Sequence, residues 1–416
     1  MAFSNAFAGS GVSHASQPDF LSRRVERFYQ ERVSDGWGGR DFLRGRMPGP
    51  DAVLLMSNDY LSITAHPRIV EAQREELARS GNGLLMSGAF LRHDSPQALL
   101  EAEFAAFMGV EATIVCQSGY CANTGLLQTI AGPDVPIYLD IIAHLSLWEG
   151  VRSAGAPSHA FRHNDLDHLE TLIRRYGPGV IAVDSVYSTN GSLCPLPELV
   201  ELTERYGCVL VVDESHSLGT HGANGEGIVA SLGLQERVHF ITASLAKAFA
   251  GRAGLITCPA RFVDYFRVSS HPAVFSSGML PHEIAGLRAT LDVIREEGWR
   301  RERLHVNAAR LREALTAQGY NLQGSASQII GLEAGPERQT IILRDALEAR
   351  GIFGSPFCPP ATTANRSLIR FTVSAGLSDD DVQRVIRACE EIREEVDLAN
   401  WPSTRRARRP GRKLAA

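Results

Sequence analysis

The spacing of apolar and polar residues splits the chain into two stretches of different period. Short, near-continuous apolar runs recur between residues 112 and 258: ATIVC (Ala112 to Cys116), PIYLD (Pro136 to Asp140), GVIAVDSV (Gly179 to Val186), CVLVVDE (Cys208 to Glu214), VHFITAS (Val238 to Ser244) and AGLITC (Ala253 to Cys258). Helical stretches separate them. Runs that do not alternate are strands covered on both faces, so the pattern predicts an α/β layer architecture with a mostly parallel central sheet. From His282 the period becomes 3.6: Ile284, Leu287, Leu291 and Ile294, then Leu304, Leu311 and Leu315, predict long amphipathic helices. Further strands near Ser327 to Leu332 and Ser367 to Ser374 and a helix from Asp379 to about Val396 predict a smaller C-terminal α/β domain.

Upstream, Phe20, Leu21, Val25 and Phe28 form a helical stripe within Asp19 to Val33, which glycines and prolines between Gly36 and Pro50 interrupt. AVLLMSN (Ala52 to Asn58) reads as a strand. Ser95 as N-cap and Pro96 at the first position open a helix that Gly109 closes. The expected division is an N-terminal arm and helix (1–50), a large domain (51–290), the smaller C-terminal domain (291–398) and a basic tail (399–416) expected to be disordered.

Composition narrows the class. The chain has 416 residues, 44% of them hydrophobic, and a net charge of −5, which argues against a nucleic-acid-binding body. No apolar stretch approaches the ~20 residues of a membrane span. The first residues lack a basic segment before an apolar run, so no secretory signal is read and a cytoplasmic location is expected. Seven scattered cysteines without paired spacing predict neither zinc nor disulfides.

In open α/β sheets ligands bind beyond the carboxyl ends of the strands, which directs attention to four turns. Ser118, Gly119 and Tyr120 sit between a strand and a helix, where backbone N–H groups can hold an anion. Asp140 closes a strand shortly before His144, whose imidazole could stack on a flat ring or simply cap a helix. Asp213 ends the most apolar strand, and a carboxylate buried there implies a cationic partner; His216 follows in the same turn. Lys247 lies in HFITASLAKAFAGRAG (His239 to Gly254), where Ala246, Ala248, Phe249 and Ala250 offer little solvation. Desolvation lowers an amine's pKa and lets it attack a carbonyl. A lone lysine of this kind is more often a snorkelling surface residue, and only its company decides. Ser244 adds a hydroxyl three residues before it.

That company carries a resemblance. N-x-Y-L (Asn58 to Leu61), S-G-Y-x-A-N (Ser118 to Asn123), D-x-x-x-H (Asp140 to His144), H-N-D (His163 to Asp165), S-x-N-G (Ser188 to Gly191), D-E-x-H-x-x-G (Asp213 to Gly219) and S-x-x-K (Ser244 to Lys247) follow one another in an order that resembles the α-oxoamine synthases. These are pyridoxal-phosphate enzymes of fold type I, the aspartate-aminotransferase-like fold. The resemblance covers about Asp51 to Ile392. The wording SLWEGVR, RHNDLDHLE, ESHSLGTHG and SLAKAFAGRAG is similar to the branch that makes α-hydroxyketone or aminoketone quorum-sensing autoinducers. Ser244-Leu-Ala-Lys247 and FSSGMLPHE (Phe275 to Glu283) depart from the T-x-G-K and S-T-x-x-P-P of commoner members.

The resemblance implies roles. Lys247 would carry the cofactor, Asp213 would pair with its pyridine nitrogen, and His144 would stack on its ring. Ser188 and His216 would contact the phenolic oxygen. Ser118, Gly119, Tyr120 and Ser244 would hold the phosphate, with Ser276 or Ser277 reaching across a homodimer whose active sites lie at the subunit interface. Asn58 and Arg370 would meet the amino substrate; Arg370's fork suits a carboxylate. The implied reaction is a decarboxylating condensation of a medium-chain acyl-CoA with a small amino acid or S-adenosylmethionine, with no metal. The alternative is 8-amino-7-oxononanoate synthase of the biotin pathway, whose acyl donor ends in a carboxylate. Ile352, Phe353, Pro356, Phe357, Pro359 and Pro360, near the expected acyl end, offer no cation for such a group. Ser244 to Lys247 also matches the S-x-x-K of penicillin-recognising hydrolases, but no SDN or KTG triplet accompanies it.

Overall fold

The computed structural model describes residues 18–408 apart from 323. Eleven strands form two sheets among these residues. The larger contains β2 (Ala112–Cys116), β3 (Ile137–Asp140), β4 (Ser158–Phe161), β5 (Val180–Asp184), β6 (Val209–Asp213), β7 (Phe240–Ser244) and β8 (Gly254–Cys258), in the order β2-β8-β7-β6-β5-β3-β4. Only β8 runs antiparallel to its neighbours. All six strands expected from the apolar runs are present. β4, with the sequence SHAF, was not among them: it is a half-exposed edge strand whose alternating residues never form an apolar run.

The smaller sheet joins β1 (Val53–Leu55), β9 (Ile329–Gly335), β10 (Ile352–Phe357) and β11 (Ser367–Thr372) in the order β1-β10-β11-β9. The division at residue 51 assigns β1 to the large domain; instead it pairs parallel with β10, Val53 opposite Ile352. Three residues are too few to read a partner from. β10 carries Gly354 and Pro356, which hid it as a strand.

Helices form where their caps allow. Ser95 accepts from the Ala98 N–H, Pro96 takes the first position, and Gly109 closes Pro96–Met108 in the left-handed conformation at φ +66°. Pro281–Glu296 and Trp299–Ala317 bury the expected Ile284, Leu287, Leu291, Ile294, Leu304, Leu311 and Leu315.

Both ends differ from expectation. The N-terminal stripe lies on an α-helix, Asp19–Arg27, that continues as a π-helical segment, Phe28–Gly36; Phe20 is 72% exposed, while Val33, Trp37 and Phe42 pack against Ile341. At the other end, the tail expected to be disordered from 399 begins with a packed segment. Trp401 is buried, its Nε1 donating to the Val396 carbonyl at 2.8 Å, and it opens the short helix Pro402–Arg408. The aromatic anchor outweighs the surrounding charge. Residues 409–416 lie outside those described. Among the described residues no helix is long and apolar enough to cross a membrane.

The large sheet's core fixes where its strand ends sit. Leu210, the second residue of β6, is fully buried. Leu210→Ala is expected to lower stability by about 2–5 kcal/mol, measured as a fall in the urea unfolding midpoint.

Candidate active site

Parallel strands β5 and β6 end in register, Asp184 opposite Asp213. Asp213 is 3% exposed, and no cation pairs with it among the described residues. Its Oδ2 accepts from Asn123 Nδ2 at 2.7 Å and its Oδ1 from the Ser215 N–H at 2.8 Å. Asn123 is held in turn: Thr242 donates to its Oδ1 at 2.6 Å, and its Nδ2 also donates to Ser146 Oγ at 2.8 Å. Ser146 Oγ lies 2.7 Å from His144 Nδ1. A chain of polar groups therefore runs from Asp213 to His144. Burial lowers the pKa of His144, assisted by Lys247 and Arg370 and opposed by Asp213, so the ring is neutral at pH 7. Asp184 holds the His144 N–H at 3.0 Å; burial, with Asp213 beside it, pushes its carboxyl well above the usual range.

Lys247 follows β7 in a tight loop. The Leu245 carbonyl accepts from Gly251 at 3.0 Å, the Lys247 carbonyl accepts from Ala250 at 2.9 Å, and Ala250 takes φ +50°, a strained value for a residue with a side chain. Ala248 and Phe249 are buried and anchor the loop, while the Lys247 amine has no hydrogen bond or ion pair among the described residues. Burial lowers its pKa, Arg370 lowers it further, and Asp213 opposes. The chain contains only one other lysine, Lys413, outside the described residues. Every other cation in the described body is arginine or histidine.

Gly119 opens the helix Gly119–Ile130 directly against Ser244: a Cβ on Gly119 would lie 2.6 Å from the Ser244 Cβ. Ser118 caps the helix, accepting from the Cys121 N–H at 3.1 Å. This close approach leaves backbone N–H groups and the Ser244 hydroxyl around one spot, a cradle for an anion. Tyr120 sits on the exposed side.

Arg370 comes from β11 of the other sheet. It is buried, stacked 4.5 Å over Phe357, and donates to the Ser188 carbonyl at 3.0 Å and to Asn58 Oδ1 at 3.2 Å, while its Nε has no partner. An unfilled buried guanidinium edge calls for an anion. His216 lies close by, with Nδ1 2.6 Å from the Tyr60 hydroxyl. A cleft of about 510 Å³ opens from Lys247 between Asn58, Gly251, Arg252, His282 and Glu283.

Nearly all residues singled out from the sequence thus converge on one region. Ser276 and Ser277 make local contacts: the Ser276 hydroxyl donates to the Pro272 carbonyl, and the Ser277 carbonyl accepts from Gln117 at 2.8 Å. Asp140 serves His163, Tyr187 and Asn164 rather than His144. The expected acyl end is also different. Ile352 and Phe353 are sealed in the core, and Arg32 donates to the Pro359 carbonyl at 3.2 Å, so a cation does reach that stretch, although Glu337 pairs with it at 3.3 Å. The N-terminal segment that brings Arg32 there has no sequence signal for its docking. Asn123, Ser146, Tyr60 and Asp184 are the partners that sequence reasoning left without a role.

Residues 50–389 match the family model for aminotransferase class I and II. The chain belongs to that family. It is 43% identical to a CAI-1 autoinducer synthase of Vibrio campbellii over 92% of this chain and 97% of the relative. A putative 8-amino-7-oxononanoate synthase of Halalkalibacterium halodurans is 33% identical over 81% and 86% respectively. Among solved structures, a serine palmitoyltransferase with bound pyridoxal phosphate is 25% identical with a TM-score of 0.83, covering 92% of this chain and 100% of that one. The fold is therefore that of the fold type I transferases, and the resemblance to α-oxoamine synthases holds.

In this family member burial lowers the amine's pKa, and the site's charges adjust it. In the apoprotein Lys247 is expected to react with an uncharged acylating reagent at lower pH than an ordinary lysine. Arg370→Leu removes a repelling cation and moves the midpoint up; Asp213→Asn removes an attracting anion and moves it further down. Peptide mapping of modification against pH measures all three.

Proposed function

We propose that this chain is a pyridoxal-phosphate-dependent acyltransferase. It condenses a medium-chain acyl-CoA with a small amino acid or S-adenosylmethionine, with loss of carbon dioxide, to give the aminoketone precursor of an α-hydroxyketone autoinducer. The similarity to the Vibrio campbellii autoinducer synthase over nearly the whole of both chains carries this reading. The residues fit the cofactor: an unpaired buried carboxylate at Asp213, an anion cradle at Gly119 and Ser244, and an amine of lowered pKa at Lys247. When bound, pyridoxal phosphate supplies an electron sink through its ring.

The chain's own groups do the rest. Asp213, fixed by Asn123 and the Ser215 N–H, supplies the negative charge that keeps a ring nitrogen protonated. His144, neutral and tied to Ser146, presents a flat face. Arg370 offers its free Nε edge to the amino substrate's carboxylate. Lys247, its pKa lowered by burial and by Arg370, removes the proton from that substrate's α-carbon. His216, kept neutral by burial and the nearby cations Lys247 and Arg370, donates to the oxygen of the thioester carbonyl as charge develops on it. Ser276 and Ser277 serve the phosphate of a second subunit in a homodimer, the protein working in the cytoplasm.

One observation favours a second reading, 8-amino-7-oxononanoate synthase: Arg32 stands against Cys358 and Pro359 and could meet a terminal carboxylate.

Two measurements test the proposal. Borohydride reduction of the holoenzyme is expected to fix the cofactor to the peptide containing Lys247, and Lys247→Ala to abolish the labelling; label at Lys413 would refute the assignment. For the acyl donor, each methylene buried contributes about 0.8 kcal/mol. A saturated medium-chain acyl-CoA is therefore expected to exceed both shorter chains and pimeloyl-CoA in kcat/KM, with the product identified by mass spectrometry. Preference for pimeloyl-CoA would establish the second reading instead.

A further inference from the structure

Tyr60 is fully buried, and its hydroxyl lies 2.6 Å from His216 Nδ1. Which atom carries the proton between them decides what His216 shows to a substrate, since a neutral imidazole has one N–H. Burial pushes the Tyr60 phenol well above its usual range, so it keeps its proton. Burial first, then the cations Lys247 and Arg370, hold His216 neutral.

The phenol proton has two other conceivable acceptors. Asn58 Oδ1 is 3.4 Å away, a weak distance, and already takes Arg370 at 3.2 Å, a bond that also identifies this atom as the oxygen. Gln328 donates through Nε2 to the His216 carbonyl at 2.7 Å, and its side chain also reaches the Tyr60 phenol in the sense that lowers the phenol's pKa, that of a donor; its Oε1 has no hydrogen-bond partner, so it is not receiving the phenol proton. The short contact to Nδ1 is the strong one. If Nδ1 carried a proton instead, the phenol would lose its good acceptor.

We propose that Tyr60 is a positioning residue: it donates to Nδ1 of His216 and thereby fixes the tautomer in which Nε2 bears the hydrogen. Nε2 makes no hydrogen bond within the described protein. It is left as a donor, and Gln328 holds the backbone of the same residue in place. The catalytic consequence rests on the function proposed above, whereas the tautomer does not.

The test separates the two. Nitrogen-15 NMR of histidine-labelled holoenzyme, with the His216 signal identified by its loss in His216→Gln, is expected to show an unprotonated, hydrogen-bonded Nδ1 and a protonated Nε2. In Tyr60→Phe, which keeps the ring in the core, the two tautomers should mix. With a competent acyl-CoA, Tyr60→Phe is expected to lower kcat about tenfold with little change in the KM of the amino donor, the loss of one well-aligned hydrogen bond acting through the histidine. In the His216→Gln background the amide Nε2 donates whatever Tyr60 does, so the same change should alter kcat by less than about twofold. A proton on Nδ1 in the wild-type protein, or an equal loss in both backgrounds, overturns the proposal. If wild-type protein shows no condensation with any acyl-CoA, the functional reading fails while the NMR result still decides the tautomer.

Discussion

A carboxylate buried without a counter-ion is the constraint around which the site is built. Asp213 is carried into the interior by β6, an apolar strand, and cannot reach water. Hydrogen bonds from Asn123 and the Ser215 N–H hold its oxygens but do not neutralise it. A charge in such a place is tolerable only when a cation completes it. The neighbouring carboxyl of Asp184 rises well above its usual range, first because it is buried and then because Asp213 lies beside it. The amide of Asn123, the hydroxyls of Ser146 and Thr242 and the ring of His144 form the framework that keeps this anion aimed.

A second constraint comes from the two sheets. Lys247, Asp213 and His144 follow strands of the larger sheet, whereas Arg370 belongs to β11 of the smaller one. Asn58 and Tyr60 come from the segment after β1, which is stitched to β10. The contacts Arg370 to Ser188 and Tyr60 to His216 therefore cross between the two layers, while Arg370 to Asn58 ties together two segments of the smaller one. Substrate recognition and proton chemistry meet where the sheets meet, and a shift of one sheet against the other would alter both together.

Much of this could be read from the sequence. Continuous apolar runs announced the central strands because both faces of that sheet are covered, and capping residues announced helix ends. Lys247 and Asp213 were legible because their chemistry clashes with their apolar surroundings. The partners that make them useful were not. Asn123, Ser146 and Tyr60 are ordinary polar residues whose importance comes from contacts across long sequence separations. β4 and β10 escaped because exposure in one and Gly354 with Pro356 in the other erase the apolar run. The acyl end was misjudged because Arg32 arrives from a helix more than three hundred residues earlier. Local charge around Arg405 suggested disorder, while one aromatic residue, Trp401, anchors the chain there.

The near absence of lysine has a practical side. Side-chain amines occur at two positions in the whole chain, and one of them is the residue at the heart of the cleft. Bifunctional amine cross-linkers, the usual reporters of subunit contacts, have almost nothing to grip on the outside of this protein. With Lys413 replaced by arginine, an activated ester would instead find a single side-chain address. Among its side chains, the molecule would then accept a fluorophore or an affinity tag at the active centre alone, and bound cofactor would protect that address from it.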